Sequence, residues 1–266
     1  LWQGIFDWQQ GELFWQPFYF ADGNKRFEIK GFYRQPYLDI EQATLSLPGV
    51  GSLHSQSRVN LDSKQFELLK VDANDVDFNG VYQAFIQPLI PNSAFGHLKV
   101  SGKADWSFEA KGLQPLKFHL NIADASLEDQ LGKFGFSHFN ASIPWDYDQP
   151  RQIVMGYQTG HMLKIPLGQT KWQAEVNRYS ITAPSLKRPI LDGALEFQDI
   201  SAAWINQSMV WHVKMDMQPI SMSQFSQALD WPTMRGQITG EVPLITYANH
   251  ELRMQGDMQF KLFNSM

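Results

Sequence analysis

Apolar and polar residues alternate along four long stretches of the chain. Because successive side chains of a β-strand point to opposite faces of a sheet, each stretch predicts a strand with one apolar and one polar face. The apolar positions of the first two stretches are Ala104, Trp106, Phe108 and Ala110, then Leu116, Phe118, Leu120 and Ile122. Those of the other two are Trp211, Val213, Met215 and Met217, then Leu252, Met254, Gly256, Met258, Phe260 and Leu262.

Strict alternation is typical of antiparallel sheets that have one face in solvent. Turn signals separate the strands at short intervals, for example Asp22-Gly23-Asn24 and Leu191-Asp192-Gly193. Together these signals predict a mainly β chain of roughly fifteen strands. Several strands are longer than the usual length of about five or six residues.

Helical spacing occurs in only two short stretches, residues 80–90 and residues 222–229. Ser221 is a suitable N-cap for the second helix, and Trp231-Pro232 ends it. A glycine-punctuated strand follows each helix, at 95–102 and at 235–242. The loose repeat predicts two β modules, residues 1–135 and residues 136–266, with a seam within 125–150 and one continuous body.

The composition supplies much apolar surface and little charge to cover it. Charged residues make up 18% of the 266 residues, below the roughly 25% of an average domain, whereas aromatic residues reach 14%. Either a well-filled core or an apolar groove would use this surplus. The net charge of -5, with no basic run, argues against a nucleic-acid partner. The chain has no cysteine, which excludes disulfides and thiolate chemistry.

Candidate catalytic arrangements are weak. The seven histidines are dispersed, and His119 and His212 fall on the polar side of their strands. The segment Asp75-Val76-Asp77-Phe78-Asn79-Gly80 matches the start of a calcium loop, but the closing carboxylate position is occupied by Ile86. A solvated acidic turn explains it better. We therefore predict no catalytic residue, no bound metal and no cofactor.

The ends of the sequence suggest a longer parent protein. The chain starts at Leu1 within a strand pattern and also ends within one. No apolar run approaches the roughly 20 residues that a membrane-spanning helix needs. We expect this chain to be a segment of a longer protein, with any targeting or anchoring sequence outside it.

The stretch at 218–229, followed by 235–243, resembles the helix-then-strand unit of AsmA-like and TamB-like envelope proteins, and the YdbH-type branch is the most similar. Some members of that branch carry a dicarboxylate transport domain label. The resemblance implies a long, curled antiparallel sheet that forms an apolar groove. It implies a Gram-negative periplasmic location, an N-terminal inner-membrane anchor, and phospholipid passage toward the outer membrane. An outer-membrane or periplasmic protein would be a further partner.

The apolar strand faces suit the same function, because each CH₂ kept from water is worth about 0.8 kcal/mol. We predict that one face of successive strands lines a lipid groove, with flexible methionines adapting to irregular chains. A structural or adhesive β-sandwich, or a carbohydrate-binding β module of the envelope, is the alternative. The predicted groove residues are Trp106, Phe108, Phe118, Leu120, Trp211, Val213, Met215, Met217, Leu252, Met254, Met258 and Phe260.

Overall fold

The computed structural model describes residues 1–16, 18–20, 24–93, 95–205, 208–248, 251–255 and 259–263. In the strands at 13–15, 18–20 and 259–263, and at residues 248, 252 and 255, the description covers only the backbone. Strands hold 70% of the chain and helices 8%. The predicted mainly β, antiparallel fold with two short helices is therefore confirmed.

The chain divides into two compact units. Unit 1 comprises Leu1–Gln130 and Phe139–Asp148, and unit 2 comprises Leu131–His138 and Gln149–Met266. The chain passes between the units inside the range 125–150, where the sequence places its seam. The strand Phe134–Asp146 contributes its first half to unit 2 and its second half to unit 1.

Unit 1 is an antiparallel meander that contains one helical segment. Its sheet runs β1–β4–β5–β6–β7–β8–β9, β10 also pairs with β9, and β2 pairs with β3 alone. The strands are β1 Trp2–Trp8, β2 Leu13–Trp15, β3 Phe18–Phe20, β4 Lys25–Arg34, β5 Tyr37–Leu47, β6 Gly51–Asn60, β7 Gln65–Asp77, β8 Leu98–Lys111, β9 Gln114–Asp129 and β10 Phe134–Asp146.

Unit 2 is also antiparallel, and its long strand β17 is paired along both edges. One edge pairs with β18, and the other pairs with β15 and then β16. The strands are β11 Arg151–Tyr157, β12 Thr159–Met162, β13 Ile165–Leu167, β14 Thr170–Asn177, β15 Ser180–Ala183, β16 Leu186–Ile190, β17 Gly193–Ile205, β18 Ser208–Ser221, β19 Gln237–Ala248, β20 Glu251–Gln255 and β21 Gln259–Phe263. The stretch predicted at 252–262 corresponds to β20 and β21, which both pair with β19.

The first helix begins earlier than predicted and is irregular. Helix α1 spans Phe78–Val81 and continues as a π-helical turn, Tyr82–Ile86, and a 3-10 turn, Gln87–Leu89. The carboxylate of Asp77 accepts a hydrogen bond from the Gly80 amide at 2.9 Å and so caps the helix. The acidic segment that resembles the start of a calcium loop therefore contains the strand-to-helix junction.

The second helix, α2, spans Met222–Ala228, close to the predicted residues 222–229. Ser221 occupies the N-cap position, but its hydroxyl lies 2.7 Å from the Ser223 hydroxyl and makes no hydrogen bond to a helix amide. The Ser221 amide instead donates to the Asp192 carboxylate at 2.9 Å. The junction is therefore held by a side chain from the preceding hairpin, which the local sequence could not indicate.

A buried hydroxyl fastens each helical segment to the chain that follows it. In unit 1, Tyr82 donates from its hydroxyl to the Phe95 carbonyl at 2.8 Å and accepts from the Leu98 amide at 2.9 Å. In unit 2, Ser226 donates to the Ser223 carbonyl at 3.1 Å and accepts from the Met234 amide at 3.2 Å. Both residues are almost fully buried. The loops after the helices thereby obtain hydrogen-bond partners away from water.

Tyr82→Phe is expected to lower the free energy of unfolding by about 2 kcal/mol, because it removes two hydrogen bonds and leaves the amide of the buried Leu98 without this partner. Urea unfolding followed by circular dichroism measures the change. Tyr33→Phe is the control in the same unit, because Tyr33 is 55% exposed and should shift the free energy by less than about 0.5 kcal/mol. Equal effects of the two substitutions would contradict the proposed role of the Tyr82 hydroxyl.

Candidate functional site

Strand register in unit 1 aligns mostly apolar residues in two rows across seven strands. Residues directly opposite each other in neighbouring antiparallel strands lie on the same face of the sheet. The first row is Phe6, Phe27, Leu45, Leu53, Ala73, Trp106 and Leu120. The second row is Gly4, Ile29, Ala43, Ser55, Val71, Phe108 and Phe118. These two rows define the unit 1 apolar face.

The opposite face of the same sheet is polar across the same strands. Its central row is Glu28, Thr44, His54, Asp72, Ser107 and His119. The Thr44 hydroxyl lies 3.2 Å from His54 Nδ1, and Lys70 pairs with Glu109 at 3.2 Å. His119 lies on this face, where its Nε2 is 3.2 Å from the Ser142 hydroxyl. The sheet therefore separates polar from apolar side chains as the alternation predicts.

Unit 2 has an equivalent apolar face. The register of β14, β15, β17, β18, β19 and β20 aligns six positions in a row, and Trp211 stacks on Tyr247 with ring centroids 5.8 Å apart. That row is Val176, Ile181, Ala202, Trp211, Tyr247 and Leu252. The shorter rows beside it are Val213, Ile245 and Met254; Phe197, Met215 and Val242; and Leu195, Met217, Gly240 and Phe260. These rows define the unit 2 apolar face.

Polar residues cover the other side of unit 2. Its longest row is Gln152, Glu175, Thr182, Ser201, His212, Thr246 and Arg253. His212 Nδ1 lies 2.9 Å from the Thr246 hydroxyl, and Lys214 pairs with Glu241 at 3.2 Å. The hydrogen bond to Glu241, followed by the charges of Asp216 and Glu241, raises the pKa of Lys214. This face is an ordinary solvated surface stabilised by cross-strand pairs.

The structure places eleven of the twelve predicted groove positions on these two apolar faces, and Met258 lies outside the described residues. Eight of the side chains are half-buried: Trp106, Phe108, Phe118, Leu120, Trp211, Val213, Met215 and Met217. Met254 is 52% exposed. The positions of Leu252 and Phe260 fall on the unit 2 apolar face by register alone.

Large side chains are seldom sealed from solvent among the described residues. The largest side chains with less than 2% exposure are Ile220, Val76 and Ser226. The chain exposes 17067 Å² in all. Even two separate globular units of half its mass would together expose only about 14,000 Å². The chain therefore buries less of its surface than two ordinary globular units of this mass would.

The α1 segment covers one end of the unit 1 apolar face. Phe85 from the π-helical turn faces a cavity of about 150 Å³ on the sheet. The other lining residues are Phe6, Trp8, Lys25, Phe27, Leu45 and Leu47. Sequence reasoning missed these residues because β1 and β5 alternate too briefly to stand out. Pairing with β4 places Phe6 and Leu45 beside Phe27, in the first row, which contains Trp106.

Polar chemistry in the described residues is sparse. None of them form a cluster of three or more metal-ligating side chains. The buried Asp39 accepts from Arg58 Nε at 2.6 Å, and that hydrogen bond is the main cause of the raised pKa of Arg58. Arg58 also lies 5.8 Å from the Tyr37 ring centroid. This pair fastens β5 to β6.

Within the described ranges, no helix combines the length and apolar character needed to span a bilayer. Comparison of the chain with models of known protein families, with curated proteins and with solved structures found no significant match.

Proposed function

We propose that this chain is a periplasmic segment of an inner-membrane-anchored protein that shields phospholipid acyl chains on its apolar sheet faces. It would carry the lipids between the inner and outer membranes. The observation that carries the proposal is the set of apolar rows in both units, in which the large aromatic side chains stay partly exposed. The location and the anchor rest on the resemblance to AsmA-like and TamB-like proteins.

The dimensions of the unit 1 apolar face suit an acyl chain. Neighbouring strands lie about 4.8 Å apart, so a row that crosses seven strands is about 29 Å long. The hydrocarbon of one leaflet is about 15 Å thick, half that of a bilayer. One row can therefore accommodate the extended chain of a phospholipid. With about 0.8 kcal/mol for each CH₂, a chain of about fifteen such groups gains on the order of 12 kcal/mol when it leaves water.

A structural or adhesive β-sandwich would use the same alternation but would close its apolar faces against each other. In a packed interior, large aromatic side chains are sealed from solvent. Trp106, Phe108 and Phe118 are instead half-buried, and so is Trp211. Partial exposure of the largest side chains along whole rows favours an open apolar surface that a lipid can cover.

Photo-crosslinking tests the proposal directly. Benzoylphenylalanine at Phe108 or Phe118 should form phospholipid adducts, detectable by mass spectrometry, when the chain is incubated with phosphatidylethanolamine and phosphatidylglycerol vesicles and illuminated. The same group at Ser107 or His119 is the matched control, because these residues neighbour the test positions on the polar face.

The proposal requires lipid crosslinking on the apolar face and little or none on the polar face. Lipid adducts at all four positions would indicate unspecific contact with the vesicles. Crosslinks within the chain at Phe108 and Phe118, without lipid, would favour the sealed sandwich.

A further inference from the structure

One arginine lies on the unit 2 apolar face. Strand β16 pairs with β17 so that Arg188 is opposite Leu195, and Leu195 is opposite Met217 on β18. Two residues earlier in β16, Leu186 is opposite Phe197. The register therefore places the Arg188 side chain among apolar neighbours, on the face that we propose holds acyl chains.

Arg188 has no counter-ion among the described residues. Its Nη2 donates one hydrogen bond, to the Lys171 carbonyl at 3.2 Å, and no carboxylate of the described part of the chain pairs with it. A guanidinium carries five N–H donors, so most of them remain available. Burial is the main influence on the pKa of Arg188 and lowers it, whereas Tyr157 acts in the opposite direction. Arginine nevertheless stays charged in proteins.

A second unmatched donor belongs to Trp172, the residue that follows Lys171. The Lys171 carbonyl belongs to the peptide bond that joins Lys171 to Trp172. The indole Nε1–H of Trp172 is buried and makes no hydrogen bond. Trp172 is four residues before Val176 in the regular strand β14, so period two places both on the unit 2 apolar face. A buried donor without an acceptor is costly, so an acceptor supplied by a bound ligand would be stabilising there.

We infer that Arg188 and Trp172 form an anion subsite that holds the phosphate of a phospholipid head group, while the acyl chains lie along the neighbouring rows. This inference rests on the proposed function. A phosphate offers the paired oxygen acceptors that a guanidinium binds best. It would also supply the missing acceptor for the indole N–H. The subsite would fix where the head group lies, which apolar rows alone leave undefined.

Isothermal titration with short-chain lipids below their micelle concentration separates the head group from the chains. The probes are dihexanoyl phosphatidate, dihexanoyl glycerol and inorganic phosphate. The wild-type chain should bind the phosphatidate about tenfold more tightly than the glycerol lipid, as expected for a charge-assisted hydrogen bond. Arg188→Gln should remove this preference and leave binding of the glycerol lipid unchanged. Arg188→Lys keeps the charge and should restore part of the preference.

Lys187→Gln is the matched control, because Lys187 is exposed and faces the opposite side of β16. It should leave both affinities unchanged. Failure of the wild-type chain to bind either lipid would overturn the proposed function itself. Equal binding of both lipids, unaffected by Arg188→Gln, would overturn only the subsite. Arg188-dependent binding of inorganic phosphate as tight as that of phosphatidate would assign the site to free phosphate and overturn its assignment to a lipid head group. Loss of folding in Arg188→Gln, but not in Lys187→Gln, would make Arg188 a structural residue.

Discussion

Gly80→Ala should lower the free energy of unfolding of unit 1 by about 3 kcal/mol, at the upper end of the usual cost of overpacking. A Cβ atom on Gly80 would collide with the Gly49 carbonyl oxygen and lie 2.8 Å from its carbon. These are backbone atoms, so no side-chain rotation can relieve the contact. The Asp77 amide also donates to the Val50 carbonyl at 2.7 Å, which holds the start of α1 on the same turn. The turn and the helix would have to separate.

Urea unfolding of the purified variant, followed by circular dichroism, measures this loss. Gly168→Ala is the matched control, because a Cβ atom there would meet no atom within 4 Å and the backbone lies outside the left-handed region. Its effect should stay below about 0.5 kcal/mol. If Gly80→Ala were as stable as Gly168→Ala, the close packing of α1 on the turn between β5 and β6 would be wrong.

The long strands could be predicted from the sequence because each alternates over enough residues to define two faces alone. Trp106 and Phe108 in β8 alternate with polar neighbours, and so do Phe118 and Leu120 in β9. What the sequence could not predict is which residues of the other strands continue these rows. Leu53 lies in a stretch of glycine, serine and histidine, and only its pairing with Leu45 and Ala73 assigns it to the unit 1 apolar face.

Arg188 is another residue whose sheet face is assigned by strand pairing. In the stretch Leu186-Lys187-Arg188-Pro189-Ile190, Arg188 shares the parity of Leu186 and Ile190. Five residues that include a proline and two adjacent cations are too short a pattern to establish an apolar strand face. The pairing with β17 places Arg188 on the unit 2 apolar face. The left-handed backbone conformation of Asp75 could not be predicted from the local sequence either. Asp75 lies at the register shift between Ala73 and Val76, and its amide is held by Asp105 of the next strand at 2.7 Å. Such long-range partners are outside the reach of local periodicity.

Met254→Asp should reduce the phospholipid retained by unit 2 about tenfold, because a carboxylate against an acyl chain must lose its hydration without gaining a partner. Met254 is opposite Ile245, beside the rows of Met215 and Trp211. Since Met254 is 52% exposed, the substitution should change the free energy of unfolding by less than about 0.5 kcal/mol. Extraction of lipid from gently purified protein, followed by mass spectrometry, measures the retained amount.

Gln198→Asp is the control in the same unit, because Gln198 is opposite Lys214 on the polar face and the new charge meets a cation. It adds the same charge and should leave the retained lipid unchanged. Met215→Asp lies in the half-buried row and should lose lipid together with some stability. Only Met254→Asp therefore separates lipid binding from folding. If it kept its lipid, or if it unfolded, Met254 would belong to solvent or to the core, and the unit 2 apolar face would not be a lipid surface.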